Sequence, residues 1–351
     1  MMDIALKGLE RISKAVGSHP DIVQGGGGNT SVKIDRELML IKASGFRLDQ
    51  VTAEDGFAVV NYRHVIEYFD ATEEKDDVTF EKEGAELIKQ NTLHLEGYKE
   101  LRPSVEVGFH SILKKFVIHT HPVYANILCC AVNGNEMMDR VMEPSGIPRI
   151  WLPYTMPGFY LTYRIKQKID EYTKEHGVFP QVIFMQNHGL VVTADDAEEC
   201  IELHARVNNM IKEYFNISEP YPEIKLEMRG DSEFEGKTEF TRNYIRKKSA
   251  DLDFKEKVLY PDQIVYLDSD QIAINEISNK INIDTGTGQV IYRTGYNEAK
   301  TIEETLTAYL YVIDQVERNG LKLSTMSSRD IDRIKNWDAE KYRKQMVSKQ
   351  E

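Results

Sequence analysis

The sequence predicts a mixed α and β protein with two domains. Its 351 residues exceed the size at which a single hydrophobic core usually stops growing. Up to about residue 215, short apolar runs of strand length alternate with segments of helical apolar spacing. Residues 216–256 lose this regularity, and strand and helix patterns resume beyond them. We therefore predict a main domain at 1–215, a linker at 216–256 and a smaller C-terminal α+β extension at 257–351.

The first hundred residues predict one helix and three strands. Apolar residues recur at helical spacing through residues 3–16, so we expect the chain to begin with a helix. Three short runs follow, "TSVKI", "ELMLIKA" and "FAVVN", and each predicts a strand. Residues 70–100 are highly charged and weakly periodic, which favours an exposed helix or an insertion.

Helices and strands alternate regularly between residues 103 and 215. Helical spacing is found in "PSVEVGFHSILKK", "PVYANILCCAV", "YLTYRIKQKIDEYTKEHG" and "DDAEECIELHARVNNMIKEYF". The third of these helices is expected to end at Gly177. The runs "FVIHT", "IWLPY", "QVIFMQ" and "LVVTA" predict strands between them.

The last third of the chain has weaker patterns. Pro220, Pro222, Gly230 and Gly236 interrupt residues 216–256, which predicts a linker without regular structure. Beyond it, "QIVYL", "QIAINEI" and "VIYRTG" predict sheet, and residues 302–316 predict a helix. A polar helix is expected at the end of the chain.

Composition narrows the classes of function. The net charge of −13 argues against a nucleic-acid partner, because binding phosphate backbones needs concentrated Lys and Arg. No apolar run approaches the roughly 18 residues of a membrane helix, and the charged first helix differs from a signal peptide. Cys129, Cys130 and Cys200 form no CxxC pair and are typical of reduced thiols. We therefore expect a cytoplasmic protein that binds neither nucleic acid nor membrane.

Three histidines are candidate metal ligands. His119 and His121 end an apolar run, and residues two apart on a strand point to the same face. His188 lies in the turn "NHG" between two predicted strands. Three neutral imidazoles with an open fourth position are typical of catalytic zinc. A hydrogen-bonded core or turn role is the alternative for each histidine, and the residues alone leave both interpretations open.

Glu106 is a candidate general base. It lies in "RPSVEVGFH", just inside the start of a predicted helix and thirteen residues before His119. A carboxylate beside a metal can move a proton on a carbon next to a carbonyl. Acidic residues also favour helix N-termini through the helix dipole alone, so a purely structural role is the alternative.

Four consecutive glycines, Gly25–Gly28, form a run that precedes Asn29 and two hydroxyl residues. Its spacing matches neither the dinucleotide fingerprint GxGxxG nor the phosphate loop GxxxxGK[ST]. A loop of exposed amides followed by hydroxyls suits a small anion, and "KASGF" at residues 42–46 offers a second such turn. A plain turn is the alternative for each.

Together these motifs resemble one family. "GGNTS", "ASG", "PSVE", "HTHP" and "NHGL" occur in the order typical of class II sugar-phosphate aldolases of the fuculose-phosphate and rhamnulose-phosphate type. That family also contains ribulose-phosphate 4-epimerases and the non-enzymatic adducin head. The resemblance covers about residues 1–215. "WLPYTMPGF", "YPDQIVY" and "DIDRIKNWDAEKYRK" look like the aldolase portion of bifunctional rhamnulose-phosphate aldolase/lactaldehyde dehydrogenases, whose dehydrogenase half would follow the end of this chain.

The resemblance implies a fold and a site. The expected fold is a three-layer α/β/α sandwich around a largely antiparallel central sheet, assembled as a homo-oligomer, with a tetramer favoured. His119, His121 and His188 would bind Zn²⁺ or another divalent metal, and Glu106 would be the catalytic acid/base. The expected phosphate-binding set comprises Gly28, Asn29, Ser44, Gly45 and Ser104.

The resemblance also implies a reaction. A ketose 1-phosphate of the rhamnulose- or fuculose-1-phosphate type would be cleaved to dihydroxyacetone phosphate and an aldehyde such as lactaldehyde. The metal would stabilise the enediolate left when the C3–C4 bond breaks, and Glu106 would protonate it.

Two departures from the family pattern concern the substrate. Val105 stands where the family has a second serine, which removes one hydrogen bond to a phosphate. No tyrosine matches the family's proton donor, because neither Tyr124 nor Tyr154 lies in the corresponding motif. The alternatives are a sugar-phosphate 4-epimerase of the same family and a non-catalytic adducin-like interaction module. The three retained histidines argue against the module.

Overall fold

The computed structural model describes residues 1–249 and 252–349, and its larger part is built on an eight-stranded sheet. The strands are β1 (Asn29–Lys33), β2 (Leu38–Lys42), β3 (Phe57–Asn61), β4 (Thr92–Leu93), β5 (Phe116–Thr120), β6 (Arg149–Leu152), β7 (Val182–Met185) and β8 (Gly189–Ala194). Their order is β4-β3-β2-β1-β5-β8-β7-β6. All neighbours are antiparallel except β6 and β7. The predicted, largely antiparallel central sheet is therefore confirmed.

Helices cover both faces of this sheet. They are α1 (Met2–Gly17), α2 (Tyr62–Ala71), α3 (Asp77–Asn91), α4 (Val107–Ile112), α5 (Val123–Cys129), α6 (Gly134–Met142), α7 (Phe159–His176) and α8 (Ala197–Tyr214). Val117 and Ile118, adjacent on β5, belong to two different apolar clusters. The cluster around Ile118 packs under α1, α5, α6 and α8, and the other face packs under α2, α3, α4 and α7. This arrangement is the expected α/β/α sandwich.

The rest of the chain forms a second, five-stranded sheet with its own helices. The strands are β9 (Leu226–Gly230), β10 (Glu233–Gly236), β11 (Ile272–Ile274), β12 (Ile281–Asp284) and β13 (Gln289–Tyr292). The helices are α9 (Glu239–Lys247), α10 (Pro261–Tyr266), α11 (Tyr296–Arg318), α12 (Ser328–Asn336) and α13 (Asp338–Lys349). The long α11 is almost wholly buried and packs against α5 of the main domain. Within the described ranges, no helix combines the length and the apolar character needed to cross a membrane.

The prediction that residues 216–256 lack regular structure is wrong. The segment contains β9, β10 and α9, and β10 pairs with β13 of the C-terminal extension. Pro220 and Pro222 lie before the first strand, while Gly230 and Gly236 end the two strands. These residues therefore delimit short elements and do not mark an irregular linker. The proposed domain boundaries remain a prediction.

The prediction of a strand at "QIVYL" is also wrong. Most of the run belongs to α10, which begins at Pro261 and is buried along its whole length. Proline fits the first turn of a helix because its missing N–H would be unpaired there anyway. An apolar run this short has no periodicity that separates a buried helix from a buried strand.

The glycine run lies against the C-terminal extension. Extension side chains take up the space beside successive glycines: Thr301 at Gly25, Tyr266 at Gly26 and Asp262 at Gly27. Gly28 has a φ of +63° and lies against the backbone carbonyl of His119. The run is therefore glycine-rich because two layers of the protein approach each other closely there.

We predict that Gly27→Ala destabilises the protein. The new β-carbon would overlap Oδ2 of Asp262 and would lie 3.0 Å from the carbonyl oxygen of Gln24, so one of them must shift. Overpacking of this kind costs about 1–3 kcal/mol of unfolding free energy, which chemical denaturation measures. Gly230→Ala is the matched control, because no atom lies within 4 Å of a β-carbon there. Equal stability of the two variants would contradict this packing.

Candidate functional site

Three buried histidines meet at one edge of the main sheet. His119 lies on β5, His121 follows that strand, and His188 lies in the turn that joins β7 to β8. Because β5 pairs with β8, this turn lies beside the end of β5. The Nε2 atoms of His119 and His121 are 3.2 Å apart, and candidate ligand atoms of all three residues lie within 4.8 Å of one another.

The hydrogen bonds of two imidazoles fit a metal site. Nδ1 of His119 lies 3.0 Å from the carbonyl oxygen of Leu190, and Nδ1 of His121 lies 2.5 Å from Oδ2 of Asp262. A carbonyl or carboxylate oxygen only accepts, so both Nδ1 atoms donate and both Nε2 atoms carry lone pairs. Two lone pairs facing each other at 3.2 Å repel unless a cation lies between them.

The protonation of the histidines also suits a metal. Burial lowers the pKa of His119 to about 4, and it lowers the pKa of His188 well below the ordinary value. Both side chains are therefore neutral near pH 7, which is the form that binds metals. Nδ1 of His188 is buried without a hydrogen-bond partner among the described residues. Three imidazole donors without sulfur are typical of zinc and neighbouring divalent metals.

Glu106 lies among these imidazoles. Its Oε2 is 3.4 Å from Nε2 of His119, and its Oε1 is 3.4 Å from Nε2 of His188. Oε1 makes no hydrogen bond within the described part of the chain. The predicted helix begins at Val107, so Glu106 is its N-cap residue and not a residue of its first turn. The carboxylate is thus buried with one oxygen available beside the histidine cluster.

Asn29 holds Glu106 in this position. Its Nδ2 donates to Oε2 of Glu106 at 2.6 Å and approaches Oγ of Ser104 at 3.1 Å. Its Oδ1 accepts from Nε2 of His110, and Nδ1 of His110 lies 2.7 Å from the Ser31 hydroxyl. The side-chain amide of Asn29, which we predicted to bind phosphate, is therefore already hydrogen-bonded to Glu106 and His110. His110 was missed in the sequence, although it lies one helical turn after Glu106.

The predicted site residues surround a single cavity. All of them line it except His119, whose ring centre lies 4.9 Å from that of His121. The lining residues are Gly28, Asn29, Ser44, Gly45, Ser104, Glu106, His121 and His188. Val105 lines the same cavity with an apolar side chain. The structure thus brings the metal, acid/base and phosphate candidates together, while their roles stay predictions.

Lys42 joins the two loops at this cavity. Its ammonium donates to the carbonyl oxygen of Phe46 at 2.6 Å and to that of Gly26 at 3.3 Å. Burial, together with the nearby charge of Arg343, lowers the pKa of Lys42 to about 7. The cavity therefore contains an amine that gains or loses its charge near neutral pH.

The C-terminal extension supplies three charged residues that the sequence did not reveal. Asp262, Glu340 and Arg343 line the cavity and are buried or nearly so. Oδ1 of Asp262 accepts from Nη2 of Arg343 at 2.6 Å, while Oδ2 accepts from His121. Burial alone would raise the pKa of Asp262, but the adjacent His121 and Arg343 lower it below the usual range. Asp262 is therefore an ionised link between a candidate metal ligand and the extension.

The cavity is narrow. Its volume is about 30 Å³, which leaves room for a water molecule or two. A second cavity of about 760 Å³ adjoins it, and Ser104, Val105 and Ala339 line both. A sugar-sized molecule fits the second cavity but not the first without movement.

Comparison with known proteins identifies a family for the main domain. Residues 9–215 match the family described as "Class II Aldolase and Adducin N-terminal domain". The matched range contains every site residue that the sequence predicted. It does not contain Asp262, Glu340 or Arg343.

One curated protein and several solved structures are similar to this chain. The uncharacterized oxidoreductase YuxG of Bacillus subtilis (strain 168) is 28% identical over 224 residues, which cover 60% of this chain and 30% of that protein. This chain therefore spans about 30% of the length of the curated relative that it matches. The N-terminal class II aldolase domain of a conserved protein from Thermoplasma acidophilum is 23% identical, with a TM-score of 0.49 and coverage of 60% and 92% of the two chains. L-fuculose-1-phosphate aldolase from Thermus thermophilus is 14% identical, with a TM-score of 0.38 and coverage of 63% and 100%.

We predict that Asp262→Asn weakens divalent-metal binding. The asparagine can still accept a hydrogen bond from Nδ1 of His121. The negative charge that favours metal binding by this imidazole is lost. Changes to such partners of a metal ligand typically cost about 10- to 100-fold in metal affinity. Competition with a chromophoric chelator measures the loss.

Asp270→Asn is the control for this experiment. Asp270 also lies in the extension, but its side chain is largely exposed and pairs with Lys335. Equal metal affinity in the Asp262 and Asp270 variants would show that the contact with His121 does not support metal binding.

Proposed function

This chain belongs to the class II aldolase and adducin family, and we propose that it is a metal-dependent aldolase acting on a ketose 1-phosphate. The substrate would be of the rhamnulose- or fuculose-1-phosphate type, and the products would be dihydroxyacetone phosphate and an aldehyde such as lactaldehyde. One observation carries the proposal. The buried Glu106 carboxylate lies 3.4 Å from two candidate metal ligands and next to two loops suited to an anion.

The three histidines would hold the metal. His119, His121 and His188 offer neutral imidazoles and no thiolate, and Zn²⁺ or another divalent cation suits such a set. When bound, such a cation supplies Lewis-acid polarisation of the substrate carbonyl. Leu190 and Asp262 fix the orientation of two of the rings by accepting from their Nδ1 atoms.

Glu106 would move the proton at the reacting carbon. When the C3–C4 bond breaks, its electron pair stays on C3. Glu106, which has first taken up a proton from water, delivers that proton to C3, completes dihydroxyacetone phosphate and is left as the carboxylate. In the direction of condensation the same carboxylate removes that proton. The hydrogen bond from Asn29 holds Oε2, which leaves Oε1 for the proton transfer.

The proton of the C4 hydroxyl needs a separate acceptor. Tyr124 and Tyr154 both lie in apolar clusters, and neither is among the described residues that line the cavity. The structure therefore gives no support to either tyrosine in this role.

The substrate phosphate would bind at the two loops. Gly28 and Gly45 have positive φ values, which turn the backbone at both loops, and Ser44 and Ser104 add hydroxyl groups. Lys42 lies between the loops and adds positive charge when protonated. The side chain of Asn29 contributes less than the sequence suggested, because it already holds Glu106.

The alternatives have less support from the site. A 4-epimerase would use the same histidines but would need its own acid/base pair. Lys42 and Glu340 also line the cavity, but Lys42 is held by the carbonyl oxygens of Gly26 and Phe46, and Glu340 lies beside Arg343. An interaction module would have no use for a buried carboxylate between imidazoles. We further propose a cytoplasmic homo-oligomer, with a tetramer favoured.

We predict that Glu106→Gln lowers kcat for aldol cleavage by about 10²- to 10⁴-fold, the usual contribution of a general acid/base. Release of dihydroxyacetone phosphate from several ketose 1-phosphates gives the rate, and elemental analysis gives the metal content. The metal content should stay unchanged, because the histidines are intact.

Glu37→Gln, at an exposed position, is the control for loss of one carboxylate. A wild-type protein that binds no divalent metal, or unchanged turnover in the Glu106 variant, would contradict the proposal. Interconversion of epimers at C4 without cleavage would favour the epimerase.

A further inference from the structure

We propose that Arg343, carried by α13, binds the anionic group of the substrate and that Glu340 takes the place of this group when no anion is bound. The inference rests on the proposed function, because it assumes a small ketose at the histidine cluster. The group that Arg343 would bind is an oxyanion, either a phosphate or a carboxylate. It would lie at the end of the substrate that is remote from the bond that breaks.

The first observation is the position of α13. Arg343 lines the same cavity as the two candidate phosphate loops. Met346, one turn further along α13, packs against Gly45 and fills the space where a β-carbon would be. The helix therefore lies directly over the second loop, and its arginine faces the cavity that both loops line.

The second observation is the way Arg343 is held. Its Nη2 donates to Oδ1 of Asp262 at 2.6 Å, and the guanidinium lies 5.5 Å from the ring centre of Tyr266. Burial alone would lower the pKa of Arg343, but Glu340 and Asp262 raise it above the ordinary value, so the side chain is charged. A guanidinium has five N–H donors, and these contacts leave donors for an oxyanion. Because Asp262 also binds His121, the guanidinium is fixed relative to the candidate metal ligands.

The third observation is the carboxylate of Glu340. It lies one helical turn before Arg343, and its Oε2 is 2.8 Å from Nε of the arginine. These two atoms are poorly aligned, and neither has a hydrogen-bond partner within the described ranges. A buried carboxylate oxygen without a hydrogen bond is costly. At this oxygen Glu340 is therefore held to the arginine by charge and not by an aligned hydrogen bond, as expected for an internal group that a ligand replaces.

The narrow cavity fits such a replacement. With a volume of about 30 Å³ it offers little space beside Arg343, so an entering anion competes with Glu340 for the guanidinium. Ala339 also lines the neighbouring cavity of about 760 Å³, together with Trp337, which precedes α13, and Tyr342 on α13. The first turns of α13 thus line both cavities.

This assignment also accounts for Val105. The valine removes a hydroxyl that the family pattern provides for phosphate, and its side chain lines the cavity. Arg343 supplies charged N–H donors in the same cavity, and hydrogen bonds from charged donors are the stronger kind. The site therefore recognises an anion in a way that depends on the C-terminal extension.

Calorimetric titration of the metal-loaded full chain tests the inference. Three α-hydroxy ketones serve as probes: dihydroxyacetone phosphate, hydroxypyruvate and uncharged dihydroxyacetone. We expect Arg343→Met to weaken binding of the preferred anion by about 10- to 100-fold and to leave binding of dihydroxyacetone unchanged. Glu340→Gln should tighten anion binding severalfold, because the competing charge is removed.

Lys341→Met is the matched control. It removes one positive charge from the same helix, but its side chain is half-exposed and pairs with Asp338. It should leave all three affinities unchanged. The difference between dihydroxyacetone phosphate and hydroxypyruvate shows whether the site prefers phosphate or carboxylate.

Equal weakening of all three probes by Arg343→Met would show that the arginine is only structural and would overturn the inference. Unchanged or weaker anion binding in Glu340→Gln would overturn the role of Glu340. Failure of all probes to bind the wild-type protein would overturn the inference as a whole. The binding measurement does not depend on turnover, so the two proposals can fail separately. If the protein binds the anion through Arg343 but cleaves no ketose phosphate, the aldolase proposal is wrong and the role of Arg343 stands.

Discussion

The candidate site depends on one buried carboxylate, that of Asp262. One oxygen accepts from His121, the other pairs with Arg343, and the side chain packs against the bare backbone of Gly27. These three contacts join the candidate metal cluster, the cavity-lining arginine and the glycine run. The site is thus completed by residues outside the range that matches the family, and the main domain alone would lack both the partner of His121 and the guanidinium.

Buried charge explains why these groups occur together. Removing one member of a buried ionic network leaves the others uncompensated, and that costs more than the pair itself contributes. Asp262 is balanced by Arg343 and His121, and Arg343 is balanced in addition by Glu340. Only the contact of Glu340 is poorly aligned. Glu340 is therefore the member of the network that we propose a substrate anion replaces, since Asp262 would still compensate Arg343.

The sequence predicted the main sheet and its helices well because each element there is long enough to show its period. It also predicted residues that the structure brings together at one cavity, because five motifs occur in a family-specific order. It failed where the signal is not local. A single aspartate on a six-residue helix and a single arginine on a polar helix have no spacing that separates them from surface charges. Gly25, Gly26 and Gly27 are needed because residues more than 230 positions away in the sequence pack closely against them. The sequence shows the glycines but not these distant neighbours, so it does not explain why glycine is required there.

The central claim is that His119, His121 and His188 bind one divalent metal beside Glu106. A crystal of the metal-loaded protein, measured on both sides of the absorption edge of that metal, tests it most directly. We predict a single strong anomalous peak in contact with the Nε2 atoms of His119 and His121 and with one ring nitrogen of His188. Absence of such a peak, or metal bound only at surface carboxylates, would show that the three histidines do not form a metal site.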